Sequence, residues 1–362
     1  MGNAEKLRIF TTGGGAPGAR GIFKSFRMGA RTEGRELEII TSDADDMSYG
    51  FHLADRYYKI PRGDSHGFIE GLLKICEKER PQLLFSWVTP ELVPIAENRE
   101  KFEALGVKVV LSDAGAIKTS QNKGKCYENI EEFGYAPKFQ FTNTLEGIEQ
   151  AAKELGYPNK PVCYKPEIAH GSRGFRVMKP GTNRAELLFK EKPLNVFTTL
   201  EETKEILKDY QLPNMIVMEY LDGRDDKEYS LDILLDDNGP IITIPRVRTR
   251  TKQGISYIAD VERNEELIEA AEKIAKKLGL KYSINMQFKF SGDGKPKLIE
   301  INPRLSGTII ACVGAGANIP WLSAKIALGE PVEKPNVRWG TTMKRFWEEV
   351  YTNGKEDWFL GI

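Results

Sequence analysis

Leu298-Ile299-Glu300-Ile301-Asn302-Pro303-Arg304 is the stretch on which the reading of this chain turns. In a strand, residues two apart share a face, so Glu300, Asn302 and Arg304 project one way in a row begun by Leu298. Ile299 and Ile301 pack on the other side. Ser291-Gly292-Asp293-Gly294 is turn chemistry, and Met286–Phe290 before it reads as the preceding strand. With Asp293-Gly294 as a two-residue turn, Gln287 stands opposite Glu300, β-carbons about 5 Å apart. A carboxylate and two carboxamides are a compact set of oxygen donors, which magnesium takes while keeping positions for water and phosphate. Arg304 can meet a phosphate bidentately or offset charge developing on it. The plainer alternative is an exposed edge hairpin, but solvated strand faces favour Lys, Glu and Thr over an Asn-Pro-Arg run.

Two further elements lie upstream. Val162-Cys163-Tyr164-Lys165-Pro166 ends an apolar strand in a lysine that can aim its ammonium at phosphate. The following His170-Gly171-Ser172-Arg173-Gly174-Phe175 supplies a loop whose N–H groups can lie over phosphates. Alone, it is equally an ordinary hairpin. Ile216-Val217-Met218-Glu219-Tyr220-Leu221 can flank an adenine and pair its edge through backbone groups. Glu228 shortly beyond suits ribose hydroxyls; without its neighbours this would be a plain hairpin with a charged loop.

Around these elements the chain changes character. Leu7–Thr12, Leu37–Thr41, Tyr57–Ile60, Leu83–Trp87 and Val107–Leu111 read as strands, with Arg20–Arg31, Gly67–Lys78 and Pro90–Leu105 as helices between them. That alternation predicts a doubly wound parallel α/β sheet. Beyond it come helices Lys123–Phe133 and Leu145–Leu155, then strands Val162–Pro166, Phe175–Met178, Met215–Tyr220, Tyr229–Leu235, Ile241–Pro245, Met286–Phe290 and Lys297–Ile301. Asp236-Asp237-Asn238-Gly239 reads as a hairpin turn. Glu265–Leu280 places Leu267, Ile268, Ala271, Ile274, Ala275 and Leu278 on one helical stripe, expected in the core. The expected architecture is an α/β domain over 1–112 and an α+β domain over 113–362, with a small lobe at about 140–222.

Composition excludes several classes. The chain has 362 residues, more than one ordinary domain. Its 52 Lys plus Arg balance 52 Asp plus Glu, so no charge excess draws it to nucleic acid or anionic lipid. Cys76, Cys126, Cys163 and Cys312 lack C-x-x-C spacing and read as buried reduced thiols, not a zinc site or disulfide framework. MGNAEKLRIF lacks a signal-peptide pattern, Lys6 stands where Ser or Thr would favour myristoylation of Gly2, and no apolar run would span a bilayer. The expectation is a cytoplasmic protein.

One signal competes. Gly13-Gly14-Gly15-Ala16-Pro17-Gly18 satisfies G-x-G-x-x-G between a strand and a helix, and Asp43 ends the second strand where a ribose ligand is expected. An NAD-dependent oxidoreductase is therefore a rival. Against it, Pro17 sits where the loop must close on a pyrophosphate, and the Lys165 and Glu300 elements go unexplained. A third reading, an ATP-binding regulator without catalysis, has little need of Arg304.

Taken in order, the chain has a lysine on the helix opening the second domain, a lysine before a glycine loop, Glu-x-Leu, a later acid, Gln, and Glu-x-Asn-Pro-Arg. It resembles the ATP-grasp superfamily, most nearly its single-copy, carbamoyl-phosphate-synthetase-like branch. The motifs lie between Lys123 and Arg304; the N-terminal third resembles the family's first domain only in its βαβ alternation and glycine turn. The resemblance implies a pre-ATP-grasp domain followed by an ATP-grasp fold that uses ATP and magnesium, with manganese an acceptable substitute. Lys123 and Lys165 look like the nucleotide-contacting bases, Lys165 touching the α- and β-phosphates under a loop of Gly171, Ser172 and Gly174. Glu219 and Leu221 look like the adenine hinge and Glu228 like the ribose ligand, although Arg224-Asp225-Asp226-Lys227 lengthens the segment before it. Gln287, Glu300 and Asn302 look like the magnesium and phosphate set, and Arg304 like the base beside the transferred phosphoryl.

Pro245-Arg246-Val247-Arg248-Thr249-Arg250, ahead of Gly254-Ile255-Ser256, resembles a substrate-side loop. There Arg246 and Arg248 would hold a carboxylate or acyl phosphate; a solvated basic loop is the alternative. The implied reaction activates a carboxylate as an acyl phosphate and joins it to an amine or related nucleophile, releasing ADP and phosphate. Small-molecule substrates are implied, with no nucleic acid or membrane partner, and a homodimer is left open. Carbamoyl phosphate synthesis itself is not expected, because that enzyme resembles two such units fused. Met343–Tyr351 resembles the tail of single-copy members associated with cell-surface polysaccharide pathways. No general base is assigned; of the three histidines only His170 is well placed.

Overall fold

The computed structural model describes residues 6–168, 174–183, 196–221, 227–252, 254–354 and 356–359. Two compact units are present: 1–118 with 227–287 and 301–362, and 119–226 with 288–300.

The first unit opens with β1 (Leu7–Thr12), β2 (Leu37–Asp43), β3 (Arg56–Lys59), β4 (Leu83–Phe85) and β5 (Lys108–Val109), all parallel in the order β3-β2-β1-β4-β5. Ile9 and Phe10, Ile39 and Ile40, and Leu83 and Leu84 are all fully buried, so both sheet faces are covered. Parallel sheets require this, because their crossover helices lie on both sides. The crossover helices include Ala19–Thr32, Phe68–Glu79 and Thr89–Glu97. The helix expected over Pro90–Leu105 is instead two, Thr89–Glu97 and Arg99–Glu103, broken at Asn98. The Asn98 side chain bonds back to Pro94 O at 2.9 Å, a local bond that competes with helix continuation.

The second unit holds β6 (Phe139–Thr142), β7 (Val162–Pro166), β8 (Arg176–Met178), β9 (Phe197–Thr198) and β10 (Met215–Glu219), in the order β6-β10-β7-β8-β9. Strand β10 runs antiparallel to both β6 and β7. Helix Leu145–Glu154 and helix Leu200–Leu207 supply Ile148, Ala151, Ala152 and Leu200 to a core with Val162, Tyr164, Met178 and Val217. The second of these helices begins in a reciprocal capping box: Thr199 Oγ1 accepts from Glu202 N at 3.2 Å, and Thr199 N donates back to Glu202 at 3.0 Å.

The remaining long strands are β11 (Glu228–Asp236), β12 (Gly239–Lys252), β13 (Ile255–Val261), β14 (Tyr282–Phe290), β15 (Pro296–Asn302) and β16 (Thr342–Lys344), in the order β15-β14-β11-β12-β13-β16. Helix Glu265–Lys277 buries Leu267, Ala271, Ile274 and Ala275 of the expected stripe, Leu278 just after it is buried too, and Ile268 is only half-buried. Two expectations are corrected here. The segment Pro245–Arg250 is not a loop but the middle of the 14-residue β12, which pairs β11 on one side and β13 on the other. The turn before β15 is one residue longer than expected. Ser291 N donates to Lys295 O at 2.9 Å and Gly294 N to Ser291 O at 2.8 Å, with Gly294 at φ +79°. A three-residue loop closes there, so the two-residue turn from which Gln287 was placed opposite Glu300 does not form.

Candidate functional site

The glycine turn after β1 is consumed by the first unit itself. Gly15 N donates to Asp43 Oδ2 at 2.7 Å, and Trp87 Nε1 donates to Gly13 O at 2.9 Å. A β-carbon on Gly18 would lie 2.6 Å from Gly307 Cα, so that end of the helix is covered by backbone. The acid a dinucleotide reading needs for ribose caps the turn instead, and the helix end it needs for pyrophosphate is closed. Beside the turn, Glu91 is buried and accepts hydroxyl bonds from Thr12 and from Ser86, the latter at 2.9 Å. Burial pushes its carboxyl up to about 7. Nothing in the sequence distinguishes Glu91 from an exposed helix acid.

In the second unit, three predicted residues gather. Lys123 opens helix Lys123–Ile130, whose N-cap Asn122 accepts from Lys125 N at 2.8 Å; Lys165 sits on β7; both side chains are buried. Burial pulls Lys165 down to about 8, with the Lys123 charge adding to the fall and Glu300 opposing it. Lys123 is lowered by burial too, again opposed by Glu300. Glu300 is set by its strand. Leu298 N donates to Tyr135 O at 2.8 Å, Tyr127 Oη to Ile299 O at 2.7 Å, and Lys297 Nζ to Gly134 O at 2.8 Å. Glu219 ends β10 with its N–H on Lys138 O at 3.0 Å, while its carboxylate accepts from Lys138 N at 2.8 Å. The hinge carboxylate therefore fixes backbone, and Leu221 beyond it is buried. Of the glycine loop, Gly171 and Ser172 lie outside the described residues. Gly174 has φ +73°, and a β-carbon there would meet Pro166 Cδ at 2.7 Å, so this position requires glycine on conformational grounds alone.

In the first unit, predicted residues gather on one sheet face. Arg248 on β12 bonds the Glu228 carboxylate on β11, Gln287 Oε1 on β14 at 3.0 Å, and Gly254 O at 2.8 Å. Deeper along the same strands lies a second set of the same kinds. Arg246 Nε donates to Asp232 Oδ2 at 2.8 Å, and Asn285 Nδ2 donates to Asp232 Oδ1 at 2.9 Å. Arg246 Nη2 and Asn285 Nδ2 both reach Ser230 Oγ, at 3.3 and 3.0 Å. Arg246 and Asp232 are fully buried and Asn285 nearly so. Arg246 is therefore not an open substrate contact. Asp232 and Asn285 were missed in the sequence; the available signal was spacing, since Glu228, Ser230 and Asp232 share one face of β11 and Asn285 and Gln287 one face of β14.

After β15 the chain turns at Pro303. Arg304 Nη2 donates to Asn302 Oδ1 at 3.2 Å and Nη1 to Leu305 O at 3.0 Å. Among the described residues no three His, Cys, Asp or Glu side chains gather as metal donors. Asn302, Gln287 and Glu300 supply hard oxygens only, which suits magnesium or manganese and not a soft metal.

Residues 211–348 match the family described as ATP-grasp in the biosynthetic pathway with Ter operon, and residues 20–110 match the PylC-like N-terminal domain. The chain carries an ATP-grasp domain behind a PylC-like N-terminal domain. It is also similar to the carbamoyl phosphate synthase large chain. It is 27% identical over 318 residues to that of Caldanaerobacter subterraneus subsp. tengcongensis, covering 83% of this chain and 26% of the relative. It thus spans about a quarter of that relative's length. Two solved structures share the fold. An N5-carboxyaminoimidazole ribonucleotide synthetase in complex with ADP has TM-score 0.66 and 16% identity, with 93% of this chain and 81% of that one covered. The biotin carboxylase–ATP complex of Campylobacter jejuni has TM-score 0.64 and 18% identity, with 92% and 74% covered. Among the described residues, no helix is long and apolar enough to cross a membrane.

Proposed function

We propose that the protein is an ATP-dependent ligase that activates a carboxylate as an acyl phosphate and joins it to an amine or related nucleophile. The observation that carries this reading is the pair of buried lysines, Lys123 and Lys165, gathered in one unit with Glu300. Two ammonium groups held out of water suit a polyphosphate, whose charge both can share.

In this reading Lys123 and Lys165 hold the phosphates, with Gly171, Ser172 and Gly174 over them. The Glu219–Leu221 backbone meets the adenine edge and Glu228 the ribose. Magnesium, held through Glu300, Asn302 and Gln287, would neutralise phosphate charge when bound. Arg304 stabilises charge spread over the transferring phosphoryl group, and Lys165 is the second catalytic cation. A substrate carboxylate oxygen bonds to the γ-phosphorus as the bond to the β,γ-bridging oxygen breaks and ADP leaves. The nucleophile then attacks the acyl carbon, the carbon–oxygen bond to the phosphoryl group breaks, and phosphate leaves. Arg248 is the candidate for holding the carboxylate or its acyl phosphate; Arg246 is too deep. We carry the 112/113 domain boundary and a cytoplasmic, optionally dimeric state as part of the same proposal.

The test is ADP release with magnesium, ATP and a panel of carboxylates and amines, with hydroxylamine added to trap an acyl phosphate as the hydroxamate. ADP release that rises with one carboxylate, together with hydroxamate, supports the ligase. ATP binding without carboxylate-dependent turnover would leave a nucleotide-binding protein and end the reading. Glu300→Ala and Asn302→Ala should each lose about a thousandfold in rate while folding normally; wild-type rates would remove the metal assignment.

A further inference from the structure

We infer that Arg246 is a positioning residue for Arg304, acting through Ser306 from inside the sheet. Its catalytic arm rests on the ligase reading above. Arg246 Nη2 donates to Ser306 Oγ at 3.3 Å, two residues beyond Arg304. The same short segment has two further fastenings: Ser256 N donates to Thr308 Oγ1 at 3.2 Å, and Arg345 Nη2 donates to Gly307 O at 2.9 Å. Arg345 Nη1 also reaches Pro17 O at 3.1 Å, so the glycine turn after β1 and the segment after Arg304 share one guanidinium. The backbone that carries Arg304 out of β15 is thereby tied at three successive residues, and Arg246 supplies the tie from the core.

Stability does not account for Arg246. Its guanidinium is fully buried, its partner Asp232 is too, and Nη1 has no hydrogen-bond partner among the described residues. A buried ion pair with one donor unmatched is commonly no better than apolar packing of the same volume. What the guanidinium adds is direction. Asp232, itself held by Asn285, fixes its plane, and Nη2, which also meets Asp232 Oδ2 at 2.5 Å and Ser230 Oγ at 3.3 Å, extends to Ser306 Oγ. Arginine suits this because its planar fork loses little freedom per bond formed. Removing the tie should let the segment shift by a fraction of an ångström, enough to move Arg304 off the developing charge.

The mild variant is Ser306→Ala, with Ser306→Thr as the conservative control. Ser306→Ala should lower kcat for ADP release about tenfold and leave the KM for ATP within about twofold. Amide exchange over residues 304–309 should speed up, and Ser306→Thr should restore both. Unchanged exchange in Ser306→Ala overturns the inference whatever the activity, and faster exchange with unchanged kcat overturns it as well. The second arm is Asp232→Leu combined with Arg246→Met, which replaces the ions by apolar side chains of similar volume. A purely structural role predicts recovered stability and recovered kcat; positioning predicts recovered stability with kcat still low. If the wild type shows no carboxylate-dependent ADP release, the ligase reading falls, and the exchange measurement alone decides whether Arg246 orders the segment.

Discussion

One face of the third sheet carries an acid, an arginine and a carboxamide twice, from the same three strands. Glu228, Arg248 and Gln287 form the outer set; Asp232, Arg246 and Asn285 form the inner one. The residue types match, and the arginines and the amides are each two residues apart. Only depth differs. In the outer set the Glu228 side chain is 30% exposed and Arg248 10%, whereas Arg246 and Asp232 are at 0%. The comparison teaches that chemistry on a sheet face is assigned by depth more than by residue type. Outside, a guanidinium can exchange an internal carboxylate for a substrate's; inside, it is committed to its partner and can only orient backbone. Resemblance to a family motif treated Arg246 and Arg248 alike, and burial separates them.

The largest effect expected from this contrast is on folding. Asp232→Ala leaves the Arg246 charge buried without its carboxylate, which costs about 3–5 kcal/mol. Denaturant unfolding should show that loss, and a change below about 1 kcal/mol would mean that the inner pair contributes no more than a surface pair. The mirror substitution, Arg248→Ala, should cost less stability than this, because Glu228 retains access to water. Its effect belongs to turnover. Losing charge-assisted bonds of about 1.5–3 kcal/mol corresponds to roughly ten- to a hundredfold in kcat/KM for the carboxylate substrate. If Arg248→Ala unfolds the protein while Asp232→Ala does not, the depth argument is inverted.

Legibility in the sequence followed the same divide. The parallel sheet was readable because short, largely apolar runs such as Leu7–Thr12 end in turn residues and alternate with helices. Lys123, Lys165 and Glu300 were expected to act together, and the second unit holds them within electrostatic range of one another. The end of β12 was misjudged because Pro245 lacks an N–H and looks like a strand stop. Its carbonyl nevertheless accepts from Glu262 N at 3.1 Å, and the strand continues through it. The turn before β15 was misjudged because Asp293-Gly294 matches a two-residue hairpin. Ser291 Oγ instead bonds Asp293 Oδ1 and Lys295 O, which holds the longer closure. Asp232 was invisible for a deeper reason. In Tyr229–Leu235 a single acid among apolar residues looks solvent-facing, and the arginine that neutralises it lies on another strand.

The smallest expected effect sharpens the comparison through pH. The inner pair answers its own charge, whereas Lys165 is a buried cation whose ammonium is disfavoured, with its pKa lowered to about 8. Between about 8 and the unfolded lysine value near 10.4 the unfolded chain binds more protons than the folded one, so stability of the free protein should rise with pH. ATP requires the opposite state, since phosphate favours the charged ammonium. Stabilisation by magnesium and ATP should therefore shrink over the same window, the affinity falling about tenfold per pH unit at most. Thermal unfolding with and without nucleotide from pH 7 to 10 reads both trends as converging curves. Lys165→Met should remove the rise and weaken the response to ATP at neutral pH. Parallel curves in the wild type would mean that Lys165 carries no charge the nucleotide can use, and the distinction between charge answered within the chain and charge answered by substrate would not hold there.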